Sequence, residues 1–301
     1  MTTEKPATEQ RALLIDAASL IYRAFFSTPD SVKAPDGMVV NAAHGFINML
    51  ARLVNDRDPD LLVCAQDVHW RPQWRVDLIA SYKTQRTLMD PVPVLDAQMP
   101  VLFEILEGLE VPLAGAPEYE AEDVIGALIP RISGQIEIVS GDRDLFQLVR
   151  DPQVCVLYPK RGVSELTRVT EGYIEEKYAI PGRSYGDFAI LRGDNSDGLP
   201  GVPGIGEKTA AALIKKYGTL TAVIEAAMTG DGAGALGKVR NNLDYLDRAA
   251  QVVLISDEAP IGDVDMTRPR SKPRSAVKEL AERYGLGNAV DRLTSALQRT
   301  G

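Results

Sequence analysis

Three short apolar runs in the first half of the chain each lead to an aspartate. ALLI at 12–15 leads directly into Asp16, and LLVCA at 61–65 leads through Gln66 into Asp67. IEIV at 136–139 leads through Ser140 and Gly141 into Asp142 and Asp144. Apolar runs of this length suit strands buried on both faces, as in a parallel sheet. Between them, 41–54 (NAAHGFINMLARLV), 94–109 (VLDAQMPVLFEILEGL) and 119–130 (YEAEDVIGALIP) carry apolar residues at helical spacing. Strand–helix alternation of this kind predicts an α/β domain with a mostly parallel central sheet flanked by helices. Ligands of such sheets bind at the carboxyl ends of the strands. One Asp at a strand end says little, because Asp is common in the turn that follows. Acids at three strand ends point to a functional rim.

From about residue 183 strand-like runs become rare. Helical segments are expected at about 207–217, 219–228, 240–254 and 276–298, with a loop over 263–275. The expected organisation is therefore an α/β core over 1–182 and a helical region over 183–301. Segments 28–38 and 84–93 read as mobile connections. No stretch approaches the roughly 18 apolar residues of a membrane span, and the polar start MTTEKPATEQ has no secretory core. Cys64 and Cys155 sit inside apolar runs and give no disulfide framework, so a cytoplasmic location is expected.

With 33 basic and 42 acidic residues the net charge is 33 − 42 = −9, which argues against nucleic acid if taken as a global sum. The placement of the acids changes that argument. Asp16, Asp67, Glu120, Glu122, Asp123, Asp142, Asp144, Asp194 and Asp197 fall at strand ends, helix starts or turns. These nine match the whole net charge, so the remainder is formally neutral. Glu120 and Asp123 lie three apart and share a helix face. Clustered carboxylates repel one another unless cations intervene. Oxygen-only ligands suit Mg²⁺ or Mn²⁺, and two His with two scattered Cys cannot build a zinc site. Two such ions about 3.5–4 Å apart can activate water and stabilise the leaving oxygen of a phosphodiester. The plainer alternative for any single acid is a helix cap or a solvated turn.

Two further segments favour a nucleic-acid substrate. PGVPGIGEKTAAALIKKYG at 200–218 places Gly201, Gly204 and Gly206 before a helix that carries Lys208, Thr209, Lys215 and Lys216. Glycine turns bring backbone N–H groups close to a phosphate, and the helix N-terminus reinforces them. Such elements hold the sugar-phosphate backbone without reading sequence. A P-loop is excluded because Glu207 precedes Lys208. WRPQWRVDLIASYKTQR at 70–86 interleaves Arg71, Arg75, Lys83 and Arg86 with Trp70, Trp74 and Tyr82. That mixture suits phosphate neutralisation and base stacking, although a core role for the aromatics fits as well. Tyr22 and Arg23 follow Asp16 closely and are candidate contacts at the same rim.

LLIDAASLIYRAF, YKTQR, EAEDVIGAL, SGDRDLFQLV and LRGDNSDGLPGVPGIGEKTA occur here in order. In this the chain resembles the bacterial 5′-nucleases: stand-alone flap endonucleases and the 5′→3′ exonuclease domain of DNA polymerase I. The resemblance runs from about Ala12 to at least Leu220, and more loosely to about residue 290. The chain looks like the stand-alone form. The resemblance implies a PIN-like nuclease core, a helical arch at about 70–95 and a helix–three-turn–helix DNA-binding element. It also implies structure-specific cleavage near 5′-flap junctions, 5′→3′ exonuclease action and two divalent ions, Mg²⁺ or Mn²⁺.

By motif match, Asp16, Glu120, Glu122 and Asp142 resemble ligands of the first ion. Asp144, Asp194 and Asp197 resemble ligands of the second, with Asp123 between the two sets. Asp67 matches a family Asp, though Gln66 precedes it and one residue is inserted before Arg75. Asp123 and Asp142 are the acids most directly tied to catalysis. Lys83 and Arg86 resemble bases that engage the scissile phosphate. The resemblance extends to a K⁺ ion held by carbonyls of the Gly201–Gly206 turn. Arg75, Tyr82, Tyr22, Arg23, Lys208, Thr209, Lys215 and Lys216 complete the expected nucleic-acid contacts. The expected partner is branched or 5′-flap DNA, met by a monomer associated with the nucleoid. Two alternatives stay open: a relative that acts mainly on RNA–DNA hybrids at primers, and a non-catalytic branched-DNA-binding module. The second would be marked by missing acids, and none is missing here.

Overall fold

The computed structural model of the chain describes residues 10–85, 93–230 and 233–299. The acid-terminated runs are the strands β1 (Arg11–Asp16), β2 (Leu61–Ala65) and, after the two-residue β3 (Leu113–Ala114), β4 (Gln135–Val139). With β5 (Val154–Arg161) and β6 (Glu165–Val169) they form one six-stranded sheet in the order β3-β2-β1-β4-β5-β6. Pairing is parallel from β3 through β5, and β6 returns antiparallel to β5. The chain adds strands on one side of β1 and then crosses to the other. This makes the β1–β4 boundary the switch point where a ligand crevice opens beyond the carboxyl ends. Ile15 is in register with both Cys64 and Val139, so the three acid-bearing ends finish at one level.

Alternate residues of β1 enter different cores. Ala12 and Leu14 pack on the side of the helix Ala121–Leu128, while Leu13 and Ile15 pack on the side of the helices Ala17–Ser27 and Asn41–Arg57. Burial on both faces explains why the strands read as unbroken apolar runs. Glu137 of β4 is the exception, and its carboxylate is held by Arg57 and, at 3.0 Å, by Arg168.

Two expectations are amended. The segment 94–109 is not one helix but Pro93–Asp96 followed by Met99–Gly108. Pro100 has no N–H to give the Asp96 carbonyl, so it sits in the first turn of a new helix. At the break, buried Gln98 accepts from the amides of Ala42 (2.8 Å) and Ala43 (3.3 Å), capping the helix Asn41–Arg57. The helical region is also not one unit to the end of the chain. Helices Tyr185–Arg192, Glu207–Tyr217, Leu220–Thr229, Gly234–Arg240 and Leu243–Val253 cover the Ala121–Leu128 side. The helices Ser275–Arg283 and Gly287–Gln298 return to the opposite side. There Val277, Leu286, Val290 and Leu293 join the core of Leu13 and Phe46. Buried Arg268 fastens the crossing segment, donating to Asp58 at 2.7 Å and to the Arg299 carbonyl at 2.9 Å. Residues 86–92, part of the expected arch and including Arg86, lie outside the described residues. No helix among the described residues is long and apolar enough to cross a membrane.

Candidate active site

Asp16 ends β1 and caps the next helix, accepting from the Ser19 amide at 3.0 Å. Its other oxygen accepts from the Ser140 hydroxyl at 2.5 Å. Ser140 also receives the Asp142 amide at 2.8 Å, and Asp142 receives the Asp144 amide at 2.9 Å. Asp67 Oδ1 accepts from the Ala121 amide at 2.7 Å, which ties the end of β2 to the start of the helix Ala121–Leu128. These local bonds fix the carboxylates along the rim of the sheet. Burial pushes the Asp16 carboxyl up to about 7; the Ser140 bond opposes this, and nearby Asp67 and Asp142 add to it. Burial, then repulsion from Asp142, Asp197 and Asp194, raises Asp144 well above the usual carboxylate range. Burial and then Glu120 do the same to Glu122. No Lys or Arg among the described residues forms an ion pair with Asp16, Asp142 or Asp144.

Glu120 and Asp123 have a different environment. They form a capping box at the start of the helix Ala121–Leu128, with Asp123 accepting from the Glu120 amide at 3.1 Å. Arg75, with no exposed surface, runs between them: it pairs with Glu120, meets Asp123 at 2.8 Å and stands 3.6 Å from Glu122. Tyr82 donates its hydroxyl to Glu120 at 2.6 Å, and the Lys83 ammonium pairs with Glu120. Although burial opposes ionisation, Lys83 and Arg75 hold Glu120 below its ordinary value.

This geometry places three of the expected site residues in the interior rather than on an open face. Arg75 and Tyr82 are buried, with their polar groups on the acids rather than at the surface. Asp123 is also fully buried and bonded to Arg75, the Glu120 amide and the Ser256 amide (3.0 Å). A sequence signal for the clamp was present in the spacing of Arg75, Tyr82 and Lys83 before the E-A-E-D string. Basic residues beside aromatics read equally well as a surface.

Lys83 lies at the acids and is buried. It adopts a left-handed φ of 49° and donates its amide to the Asp197 carbonyl at 2.8 Å. The acids of the 193–199 loop reach the rim through this contact. Gly198 lies so close to Ser81 that a Cβ would stand 1.9 Å from the Ser81 carbonyl oxygen, and Ser81 donates its hydroxyl to the Gly198 carbonyl at 2.6 Å. Asp194 accepts from the Ser196 amide at 2.8 Å and faces Arg192 at 3.6 Å. The same loop continues into Gly201, Gly204 and Gly206, the last of which caps the helix Glu207–Tyr217. Lys208 is exposed in its first turn with Thr209 behind it, and Lys215 and Lys216 occupy its last turn. Tyr22 is exposed on the helix after β1, and the guanidinium of Arg23 sits against Gly141.

The carboxylates share one rim but do not close on a point. Among the described residues no three Asp, Glu, His or Cys side chains gather tightly enough to enclose an ion. Glu120 is engaged by Arg75 and Lys83 instead. Buried carboxylates raised by one another, with oxygen the only donor, fit a hard divalent cation.

Two family models divide the chain. Residues 11–179 match the 5'-3' exonuclease N-terminal resolvase-like domain, and 180–275 match the 5'-3' exonuclease C-terminal SAM fold. A 5'-3' exonuclease of Streptomyces coelicolor is 45% identical over 300 residues, covering 95% of this chain and 99% of that protein. DNA polymerase I of Mycobacterium bovis is 36% identical over 312 residues, covering all of this chain and 34% of the polymerase. Among solved structures, a bacteriophage T5 flap endonuclease in a pseudo-enzyme–product complex with DNA and metal ions superposes with a TM-score of 0.64 at 14% identity. The match covers 96% of this chain and 98% of that one. The six-stranded sheet, its acidic rim and the helical region beside it are thus those of a nuclease fold, and the chain belongs to the 5'-3' exonuclease family.

Proposed function

We propose that the chain is a divalent-metal-dependent, structure-specific 5′-nuclease that cuts DNA near the junction of a 5′ flap and also acts as a 5′→3′ exonuclease. One observation carries this reading: the loop 193–206 holds Asp194 and Asp197 at one end and the glycine turn at the other. Gly198 and Asp197 dock it against Ser81 and Lys83 at the strand-end acids. Backbone grip and bond cleavage are therefore rigidly spaced. The Streptomyces and T5 relatives support the same reading.

Asp16, Asp67, Glu122 and Asp142 would hold one divalent ion, and Asp144, Asp194 and Asp197 a second. When bound, such a pair activates water and stabilises the leaving oxygen. The remaining work belongs to the chain. The Gly201–Lys208 element holds one strand of the duplex by its backbone. Unpairing the terminal bases, at a cost of a few kcal/mol, lets a phosphodiester reach the rim. Lys83, on exchanging Glu120 for a phosphate oxygen, brings its charge beside the scissile bond. Tyr22 and Arg23 flank that path, and Arg86 acts with Lys83 in this reading. Chromosomal flaps as substrate would place the protein at the nucleoid, acting as a monomer.

Replacing Lys208 with alanine is expected to weaken binding of uncleaved flap DNA and lower the slope of log K against log salt by about 0.9. Fluorescence anisotropy over a salt series reads this, and an unchanged slope would remove the turn as the docking site. Comparing cleavage of DNA flaps, RNA–DNA hybrids and single-stranded RNA then ranks the substrates. Hydrolysis of hybrids ahead of DNA flaps would move the assignment to primer removal.

Asp16 also sets a pH dependence. Its folded value, about 7, lies above the ordinary 3.8. Its contribution to the stability of the metal-free protein is therefore present at low pH and lost as pH rises between those values. Ions that occupy the rim favour the ionised form and release protons on binding. The rise in melting temperature on adding Mn²⁺ should therefore be larger at about pH 8 than at about pH 6. Equal shifts at both would take Asp16 out of the ligand set.

A further inference from the structure

The glycine turn has a cation of its own. Lys238, on the helix Gly234–Arg240, donates from Nζ to the Gly204 carbonyl at 2.8 Å. The approach is close: Gly204 has φ 76°, and a Cβ there would stand 2.7 Å from Nζ and 3.2 Å from Cε. Two further bonds position the backbone around it. The Asn242 side chain donates to the Lys238 carbonyl at 2.8 Å, and the Gly201 amide donates to the Tyr245 hydroxyl at 2.9 Å. One segment, Gly234–Val253, thus meets the turn at both ends. Among the described residues no carboxylate pairs with Lys238.

A K⁺ ion held by carbonyls of this turn does not fit these residues. The Gly204 oxygen already accepts from an ammonium, and a second cation on that oxygen would meet a like charge. An ammonium carries the charge of K⁺ and has three N–H donors. One is spent on Gly204, which leaves two for a phosphate oxygen. We propose that Lys238 is the built-in cation of this turn: it stands in place of a bound monovalent ion and completes the phosphate grip, so that duplex binding does not depend on K⁺. The proposal rests on the reading that the Gly201–Lys208 element holds the DNA backbone.

The test measures affinity of the full chain for uncleaved 5′-flap DNA, without divalent ions, at constant ionic strength in K⁺ or tetramethylammonium salt. Wild type should bind equally in both. Lys238→Ala should bind about tenfold more weakly in tetramethylammonium and regain part of the loss in K⁺, because the emptied place admits the ion. Lys238→Arg keeps the charge and should stay near wild type, which separates charge from folding. Lys208→Ala should weaken binding equally in both salts. A wild type that loses affinity without K⁺ overturns the proposal. So does a Lys238→Ala loss of equal size in the two salts, which would make Lys238 a plain phosphate contact. If Lys208→Ala and Lys238→Ala both bind as wild type, the docking reading itself has failed, and the proposal falls with it.

Discussion

Asp142→Asn is expected to lower single-turnover cleavage of a 5′-flap substrate by roughly 10²–10³-fold, the scale for losing one preorganised electrostatic group. Binding of the uncleaved flap should survive. The substitution is nearly isosteric. Asparagine keeps an oxygen to receive the Asp144 amide, and the residue-142 amide still reaches the Ser140 hydroxyl. The rim therefore holds its shape and loses one charge between Asp16 and Asp144, both of which feel Asp142 directly. A folded variant that binds flaps and cleaves at the wild-type rate would refute the metal assignment at its centre. Asp123→Asn belongs to a different class. Asp123 faces Arg75 and two backbone amides, so its loss should appear first in stability.

The second large effect concerns Arg75. Its guanidinium is buried among Glu120, Glu122 and Asp123, and these carboxylates raise its proton affinity despite burial. Such a group is worth little relative to a well-packed apolar core, but removing one partner leaves buried charges uncompensated. Arg75→Ala should cost about 3–5 kcal/mol in unfolding free energy. Chemical denaturation measures it, with near-unchanged stability as the contrary result. Cleavage by any folded fraction should also fall, because Glu120 and Lys83 lose the group that orients them. Arg75→Lys should not rescue: a point charge cannot bridge two carboxylates as a planar fork does.

The strand ends were legible in the sequence because physics marks them twice. A strand buried on both faces must be continuously apolar, and an acid after it has nowhere to go but the rim. Asp16, Asp67, Asp142 and Asp144 therefore stand out in the sequence alone. The glycine turn was legible because Gly204, at φ 76°, and Gly198, pressed against Ser81, need residues without side chains. The clamp was not. Arg75 and Tyr82 sit in a segment whose alternation of aromatic and basic residues describes a DNA-facing surface as well as a buried anchor. Only the partner helix, 45 residues away for Arg75 and Glu120, decides between them. The β5–β6 hairpin was missed because neither strand ends in an acid and no helix separates them. The return of the helices Ser275–Arg283 and Gly287–Gln298 to the Leu13 side was likewise invisible, since an amphipathic pattern shows that a face is buried but not against what. Lys238 falls in the same class: one lysine among many until the chain folds it onto Gly204.

The central claim is that the rim gathers two divalent ions between these strand ends and the 193–199 loop. Anomalous diffraction from crystals soaked in Mn²⁺ tests it most directly. Two manganese peaks about 3.5–4 Å apart, one beside Asp16 and Asp142 and the other beside Asp144, Asp194 and Asp197, are the predicted result. A saturated crystal with no manganese at this rim, its carboxylates turned to solvent, would contradict the account.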